Sequence, residues 1–198
     1  MTMAPPTEGG RLVLWYGEPG TGKTTAIRAL CREWSEWAHP HCILDPERFF
    51  LRPDYMLNVI MDESRSATVS PAEPPEWKLV VVEDADEFLV SDAKRTAGVG
   101  LGRLLNLSDG IVGRGLNTLI LITTNEPIGR LHPAIVRPGR CLAKMEFGRF
   151  GNSEAATWLG DDTRLPQTDV TLAELYELRG TARRVDHELV STGPGQYL

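Results

Sequence analysis

The sequence predicts an α/β protein: a doubly wound, parallel five-stranded sheet with a small C-terminal α-helical cap. Three observations carry that expectation. Short runs at Leu12–Tyr16, Cys42–Leu44, Leu79–Val82, Leu119–Ile122 and Ala143–Phe147 have the apolar content or the alternation of strands. Stretches with apolar residues at helical spacing separate most of them, which is the order of a parallel sheet with crossover helices. Beyond residue 150 only helical patterns remain.

The first run, Leu12–Tyr16, breaks at Gly17, and a helix is expected to open at Thr24. Ile27, Leu30, Trp34 and Trp37 give that helix one apolar face, with the tryptophans as packing residues. It is expected to stop around His39-Pro40, because proline disfavours helical geometry in the residue before it. Cys42–Leu44 follows as a short second strand, and Asp54 is expected to cap a short helix over Tyr55–Met61. Residues 62–76 read as a polar, proline-rich connector. Leu79–Val82 reads as a central strand, apolar throughout because both faces would be covered. It ends in Glu83, Asp84, Asp86 and Glu87. Residues 91–100 read as a mobile loop, and Leu101–Leu107 as a helix closing at Asp109-Gly110. Leu119–Ile122 is another buried strand, ending in Thr123-Thr124-Asn125, while the alternation of Ala143–Phe147 suits an edge strand. The cap is expected to hold helices over Ser153–Leu159, Leu172–Leu178 and Thr181–Leu189.

A chain of 198 residues with 41 % apolar and 24 % charged content suits one soluble α/β unit and a small appended subdomain. The net charge of −6 argues against gripping nucleic acid by bulk electrostatics. Cys31, Cys42 and Cys141 are too widely spaced for a metal or redox pattern and read as buried thiols of a reducing compartment. The H-P-H-C stretch at 39–42 lacks a second pair of zinc ligands. Residues 1–10 read as a disordered lead or a truncation scar, without the apolar core of a signal peptide. No run approaches the length of a membrane span, so a cytoplasmic protein without membrane association is expected.

Gly17 to Thr24, G-E-P-G-T-G-K-T, fits the phosphate-binding pattern G-x-x-x-x-G-K-[ST] in its required setting between a strand and a helix. Glycines at this spacing let successive backbone N–H groups turn inward around a polyphosphate. Lys23 would reach the β- and γ-phosphates, the Thr24 hydroxyl could ligate Mg²⁺, and the helix N-terminus adds partial positive charge. The nucleotide-binding candidates are therefore Gly17, Glu18, Pro19, Gly20, Thr21, Gly22, Lys23, Thr24 and Thr25. Of the paired acids at the end of Leu79–Val82, one can hold the Mg²⁺ shell while its neighbour orients a water for in-line attack. Asn125 can hold that water or the γ-phosphate through its amide. All three groups stand at the carboxyl ends of strands, where such sheets bind ligands.

Four segments in order, G-E-P-G-T-G-K-T, V-V-V-E-D-A-D-E-F, L-L-N-L-S-D-G with L-I-T-T-N, and L-H-P-A-I-V-R-P-G-R, resemble the AAA branch of the AAA+ ATPases. The resemblance covers roughly Arg11 to Phe147 and implies the P-loop NTPase fold, with residues 11–150 as nucleotide-binding domain and 151–198 as a reduced helical lid. Leu131–Arg140 is similar to the family's arginine-finger region, which implies that Arg137 and Arg140 reach the γ-phosphate held by a neighbouring copy. It further implies ring assembly, commonly hexameric, with ATP and Mg²⁺ between copies and a protein client remodelled by hydrolysis. The implied catalytic residues are Glu83, Asp84, Asn125, Arg137 and Arg140, with Thr24 and Glu83 at the metal. The family usually ends its second acidic motif with Asp then Glu. Here the order is Glu83 then Asp84, as in a mitochondrial chaperone subgroup, and Asp84 is one methylene shorter than the usual water-activating Glu.

The function expected is therefore an ATP-hydrolysing ring enzyme that remodels proteins. A nucleotide-gated scaffold that binds ATP and barely turns over is the alternative suggested by the reversed acids and the small cap. A small-molecule kinase would share the loop but has no need of R-P-G-R, and the acidic balance disfavours a DNA-loading ATPase.

Overall fold

The computed structural model describes residue 6 and residues 10–61, 77–91, 95–109, 116–137, 139–160 and 168–180. The chain divides into two compact units, 1–148 and 149–198. In the first, five strands form one all-parallel sheet: β1 (Leu12–Tyr16), β2 (Ala38–Ile43), β3 (Trp77–Val82), β4 (Thr118–Thr124) and β5 (Cys141–Glu146). Their order across the sheet is β2-β3-β4-β1-β5.

Side chains on a strand alternate between faces, and here each face has its own core. Leu12, Leu14, Val80, Val82, Ile120 and Ile122 meet residues from α2 (Pro46–Leu51), α3 (Pro53–Met61), α4 (Asp86–Leu89), α5 (Arg95–Asp109) and α6 (Pro133–Val136). Val13, Trp15, Leu79, Val81, Leu119 and Leu121 meet Ile27 of α1 (Lys23–Glu33), with Trp34 and Trp77. Burial on both faces is why β3 and β4 read as unbroken apolar runs. Each fully buried Leu or Ile contributes about 1.5–3 kcal/mol of transfer free energy, against the entropy of ordering it.

Several expected boundaries move. α1 ends at Glu33 with Trp34 as its C-cap, and Ala38 N–H donates to Trp34 O at 2.8 Å, so the chain has turned well before Pro40. His39 and Pro40 lie inside β2. That strand is an edge of the sheet, where proline is tolerated. Leu44 falls outside β2 and is 95 % exposed. Asp54 does not cap α3: the helix begins at Pro53, and Asp54 pairs with Arg52 at 3.0 Å. The cap belongs to α2, absent from the sequence reading, where Arg48 N–H donates to Asp45 Oδ1 at 2.8 Å. Residues 95–100 are not loop but the first turns of α5. Glycines at 98, 100 and 102 hide that helix, and one has a packing reason: a Cβ on Gly100 would fall 2.3 Å from Phe50 O. Cys42 is exposed rather than buried, and Cys31 and Cys141 are half-buried.

In the second unit, α7 (Asn152–Leu159) and α8 (Leu172–Leu178) close on Ala155, Val170 and Leu175, beside a bridge between Phe150 and Val170. Thr171 and Glu174 cap α8 reciprocally: Thr171 N–H donates to Glu174 Oε2 at 2.6 Å, and Glu174 N–H to Thr171 Oγ1 at 3.3 Å. The expectations for residues 1–10 (positions 6 and 10 apart), 62–76, 92–94, Gly110, Pro138 and Thr181–Leu189 lie outside the described residues. No helix among the described residues is long and apolar enough to cross a membrane.

Candidate nucleotide site

The loop after β1 is pinned between the ends of its two neighbouring strands. Gly17 N–H donates to Thr124 O at 3.2 Å, and Phe147 N–H donates to Tyr16 O at 2.8 Å. Gly17 has φ +147°, and a Cβ there would lie 2.1 Å from Phe147 O, so only glycine lets the end of β5 come this close. Thr21 Oγ1 donates to Glu18 O at 2.7 Å and closes the loop on itself. Gly22, left-handed at φ 104°, is the N-cap of α1 and provides no side-chain cap. The first amides of the helix therefore remain as donors at the loop mouth. Glu18, Pro19, Gly20, Thr24 and Thr25 are exposed, whereas Thr21 and Lys23 are buried.

Lys23 is 7 % exposed, and its ammonium makes three contacts: Gly17 O at 2.7 Å, Glu18 O at 3.0 Å and Asn125 Oδ1 at 2.8 Å. An ammonium has three protons, so all are engaged. Burial pushes the Lys23 pKa down, and the carboxylates of Asp84 and Asp86 act against that shift.

The acids arrive from the end of β3. Glu83 Oε2 accepts from Thr24 Oγ1 at 2.6 Å, joining this strand end to the start of α1. A hydroxyl and a carboxylate side by side are the hard oxygen donors that suit Mg²⁺. Asp84 sits at φ +51°, the one positive φ outside glycine among the described residues. Its N–H donates to Thr123 Oγ1 at 3.1 Å and that of Ala85 to Thr123 O at 3.1 Å, which anchors the turn to β4. Asn125 Nδ2 donates to Asp84 Oδ1 at 3.3 Å and to Asp86 Oδ2 at 3.0 Å. Asp86 Oδ1 also accepts from Asn125 N–H at 2.7 Å and Thr124 Oγ1 at 2.5 Å.

Lys23, Thr24, Glu83, Asp84 and Asn125 thus stand together, as the sequence predicts. Asp86 was given no role in that reading. Its signal was its place in the acidic run after β3, two residues beyond Asp84 and at the start of a helix.

Arg137 and Arg140 stand apart from this group. Arg137 is exposed just after α6, and Arg140 immediately precedes β5. Cys141 is in register with Leu12, at the opposite end of β1 from Gly17. Five residues of β1 separate the two levels, or about 17 Å at ~3.3 Å per residue. Arg140 N–H donates to Arg137 O at 3.3 Å, and Arg140 Nη1 donates to Ala134 O at 3.1 Å.

An all-parallel sheet of this order, a lysine-bearing loop and a hydroxyl–carboxylate pair are the parts of a nucleotide-hydrolysing fold. Residues 13–149 match the model of the ATPase family associated with various cellular activities, AAA. The chain belongs to the AAA family of ATPases. This AAA domain is 30 % identical over 174 residues to the cell division cycle protein 48 homolog of Archaeoglobus fulgidus, covering 84 % of the chain and 22 % of that protein. It is 34 % identical over 144 residues to the mitochondrial chaperone BCS1 of Bos taurus, covering 68 % of the chain and 30 % of that protein. The chain therefore spans less than a third of either relative. Among solved structures, a chain of the E. coli MS115-1 HORMA:CdnC:Trip13 complex superposes with a TM-score of 0.55 at 18 % identity, over 75 % of this chain and 52 % of that one. That likeness bears on the fold, and the expected parallel α/β P-loop architecture is the one found.

Proposed function

We propose that this AAA domain binds ATP with Mg²⁺ on Gly17–Thr25, hydrolyses it, and does so as a ring of identical copies whose turnover remodels a protein client. Lys23 exchanges the carbonyls of Gly17 and Glu18 for the β- and γ-phosphates while keeping Asn125 Oδ1, and the uncapped first turn of α1 donates to the same phosphate oxygens. Thr24 and Glu83 hold Mg²⁺, which supplies charge neutralisation on the phosphate oxygens. Asp84 accepts the proton of the attacking water, and Asn125 holds that water or the γ-phosphate. Arg137 and Arg140 of one copy complete the site of the next. Residues 151–198 serve as a reduced lid subdomain.

The observation that carries the assembly is the placement of Arg140, beside Cys141, about 17 Å along the strands from its own loop, with Arg137 tied to it through Arg140 N–H. Within one chain they have no phosphate to meet. Supplied by a neighbour, a finger arginine accelerates hydrolysis on the order of 10³–10⁵-fold and couples it to assembly. A protein client is in keeping with the chaperone BCS1 among the relatives. Cys31, Cys42 and Cys141 form no disulfide among the described residues, which suits a reducing compartment, for which we take the cytoplasm. The shorter carboxylate at Asp84 favours slow turnover, and a nucleotide-gated scaffold is its limiting case. Phosphate release from ATP, measured with and without Mg²⁺ over rising protein concentration, tests the reading. Release that needs Mg²⁺ and rises in specific rate supports it, whereas ATP binding without release at any concentration leaves the scaffold.

A further inference from the structure

We propose that Asp86 is a positioning residue for hydrolysis: its carboxylate fixes the Asn125 amide so that Oδ1 faces Lys23 and Nδ2 faces Asp84. The inference rests on the roles given above to Asn125 and Asp84. An acid in the first turn of a helix often does no more than complement the helix dipole. Asp86 instead turns across the sheet, taking three donors from the end of β4: Thr124 Oγ1, Asn125 N–H and Asn125 Nδ2. It therefore holds both the backbone and the side chain of Asn125.

The amide has one orientation that satisfies its neighbours. The Lys23 ammonium only donates, and the carboxylate oxygens of Asp84 and Asp86 accept. Oδ1 must then face Lys23 and Nδ2 the two acids, as found. Of the two acids Asp86 makes the shorter contact, 3.0 Å against 3.3 Å. Exchanging the Asp86 carboxylate for an amide preserves shape but leaves one acceptor oxygen for three donors. With that oxygen kept by Thr124 and Asn125 N–H, the new NH₂ faces Nδ2, donor against donor. Asn125 must then turn over or move, and either change withdraws Oδ1 from Lys23 and Nδ2 from Asp84.

The test is a cycle of variants, with one readout that needs no nucleotide. Asp86→Asn is expected to lower kcat ~10–100-fold, the usual cost of losing a supporting hydrogen bond behind a reacting group. ATP affinity should change by less than about threefold. In an Asn125→Ala background the same substitution should cost less than about twofold, since the group it positions is gone. An equal loss of kcat in both backgrounds would overturn the proposal. Without nucleotide, the ¹⁵N–¹H side-chain resonances of Asn125 should move in Asp86→Asn, and unmoved resonances would overturn it too. If Asp86→Asn does not fold, Asp86→Glu, which keeps both acceptors but displaces them, should shift the same resonances and lower kcat. Failure of the parent reading is distinguishable: the native protein would then neither bind nor hydrolyse ATP, while the resonances still decide whether Asp86 holds Asn125.

Discussion

Asn125 Oδ1, at the end of β4, accepts from Lys23 Nζ at 2.8 Å, so the ammonium of the phosphate loop is held from across the sheet. With Asp84 and Asp86 on the other side of the same amide, one chain carries a connected network of cation, amide and acids. Lys23→Ala removes its positive centre. ATP affinity is expected to fall on the order of 10²-fold or more, from loss of charge-assisted hydrogen bonds worth about 1.5–3 kcal/mol each. Calorimetry that finds unchanged affinity would sink the assignment of the phosphate site.

The same burial gives a pH signature. The Lys23 pKa lies below the ordinary 10.5, with desolvation as the main cause. Between the folded value and 10.5 the unfolded chain binds more protons at this site, so its contribution to stability rises with pH. ATP affinity should move the other way, declining at a lower pH than free lysine would dictate. Paired titrations of unfolding and ATP binding over the alkaline range check this, and affinity holding flat up to 10.5 would contradict it.

Glu83 and Asp84 should separate cleanly. Glu83→Gln keeps an acceptor for the Thr24 hydroxyl but loses the charge, so more Mg²⁺ should be needed for half-maximal hydrolysis. Asp84→Asn should bind ATP normally and lose most hydrolysis, because an amide cannot take the proton of water. Normal hydrolysis by Asp84→Asn would transfer the catalytic role to Glu83.

Much of this was legible in the chain because it is local. The phosphate loop lies within eight residues, and strands buried on both faces announce themselves as apolar runs. What was missed depends on neighbours in space. The hold of Asp86 on Asn125 exists because β3 and β4 are adjacent, which no spacing within V-E-D-A-D encodes. Pro40 reads as a helix stop until β2 is known to be an edge strand. The start of α5 is masked by glycines, of which Gly100 answers to the backbone of Phe50. The R-P-G-R segment pointed to the arginines, but their place at the far end of β5 from the loop needed the register with β1.

Asp84 holds a left-handed backbone, and relieving that conformation should show in stability. A left-handed backbone costs an L residue about 1–2 kcal/mol, less for aspartate, and glycine escapes that cost at some loss of chain entropy. Asp84→Gly is expected to gain up to about 0.5–1 kcal/mol in denaturant unfolding while abolishing hydrolysis. A clear loss of stability would mean that the hydrogen bond from Asn125 outweighs the strain.

The central claim is that each active site is completed by a neighbour, and mixing two inactive proteins tests it most directly. One carries Lys23→Ala and keeps its arginines. The other carries Arg137→Ala with Arg140→Ala and keeps its phosphate loop, which should still bind ATP. Each alone should be nearly inactive, and their mixture, once subunits have exchanged, should recover ATP hydrolysis at interfaces that pair an intact loop with intact arginines. No recovery after verified exchange, together with a native specific rate independent of concentration, would contradict the account and leave a nucleotide switch that works alone.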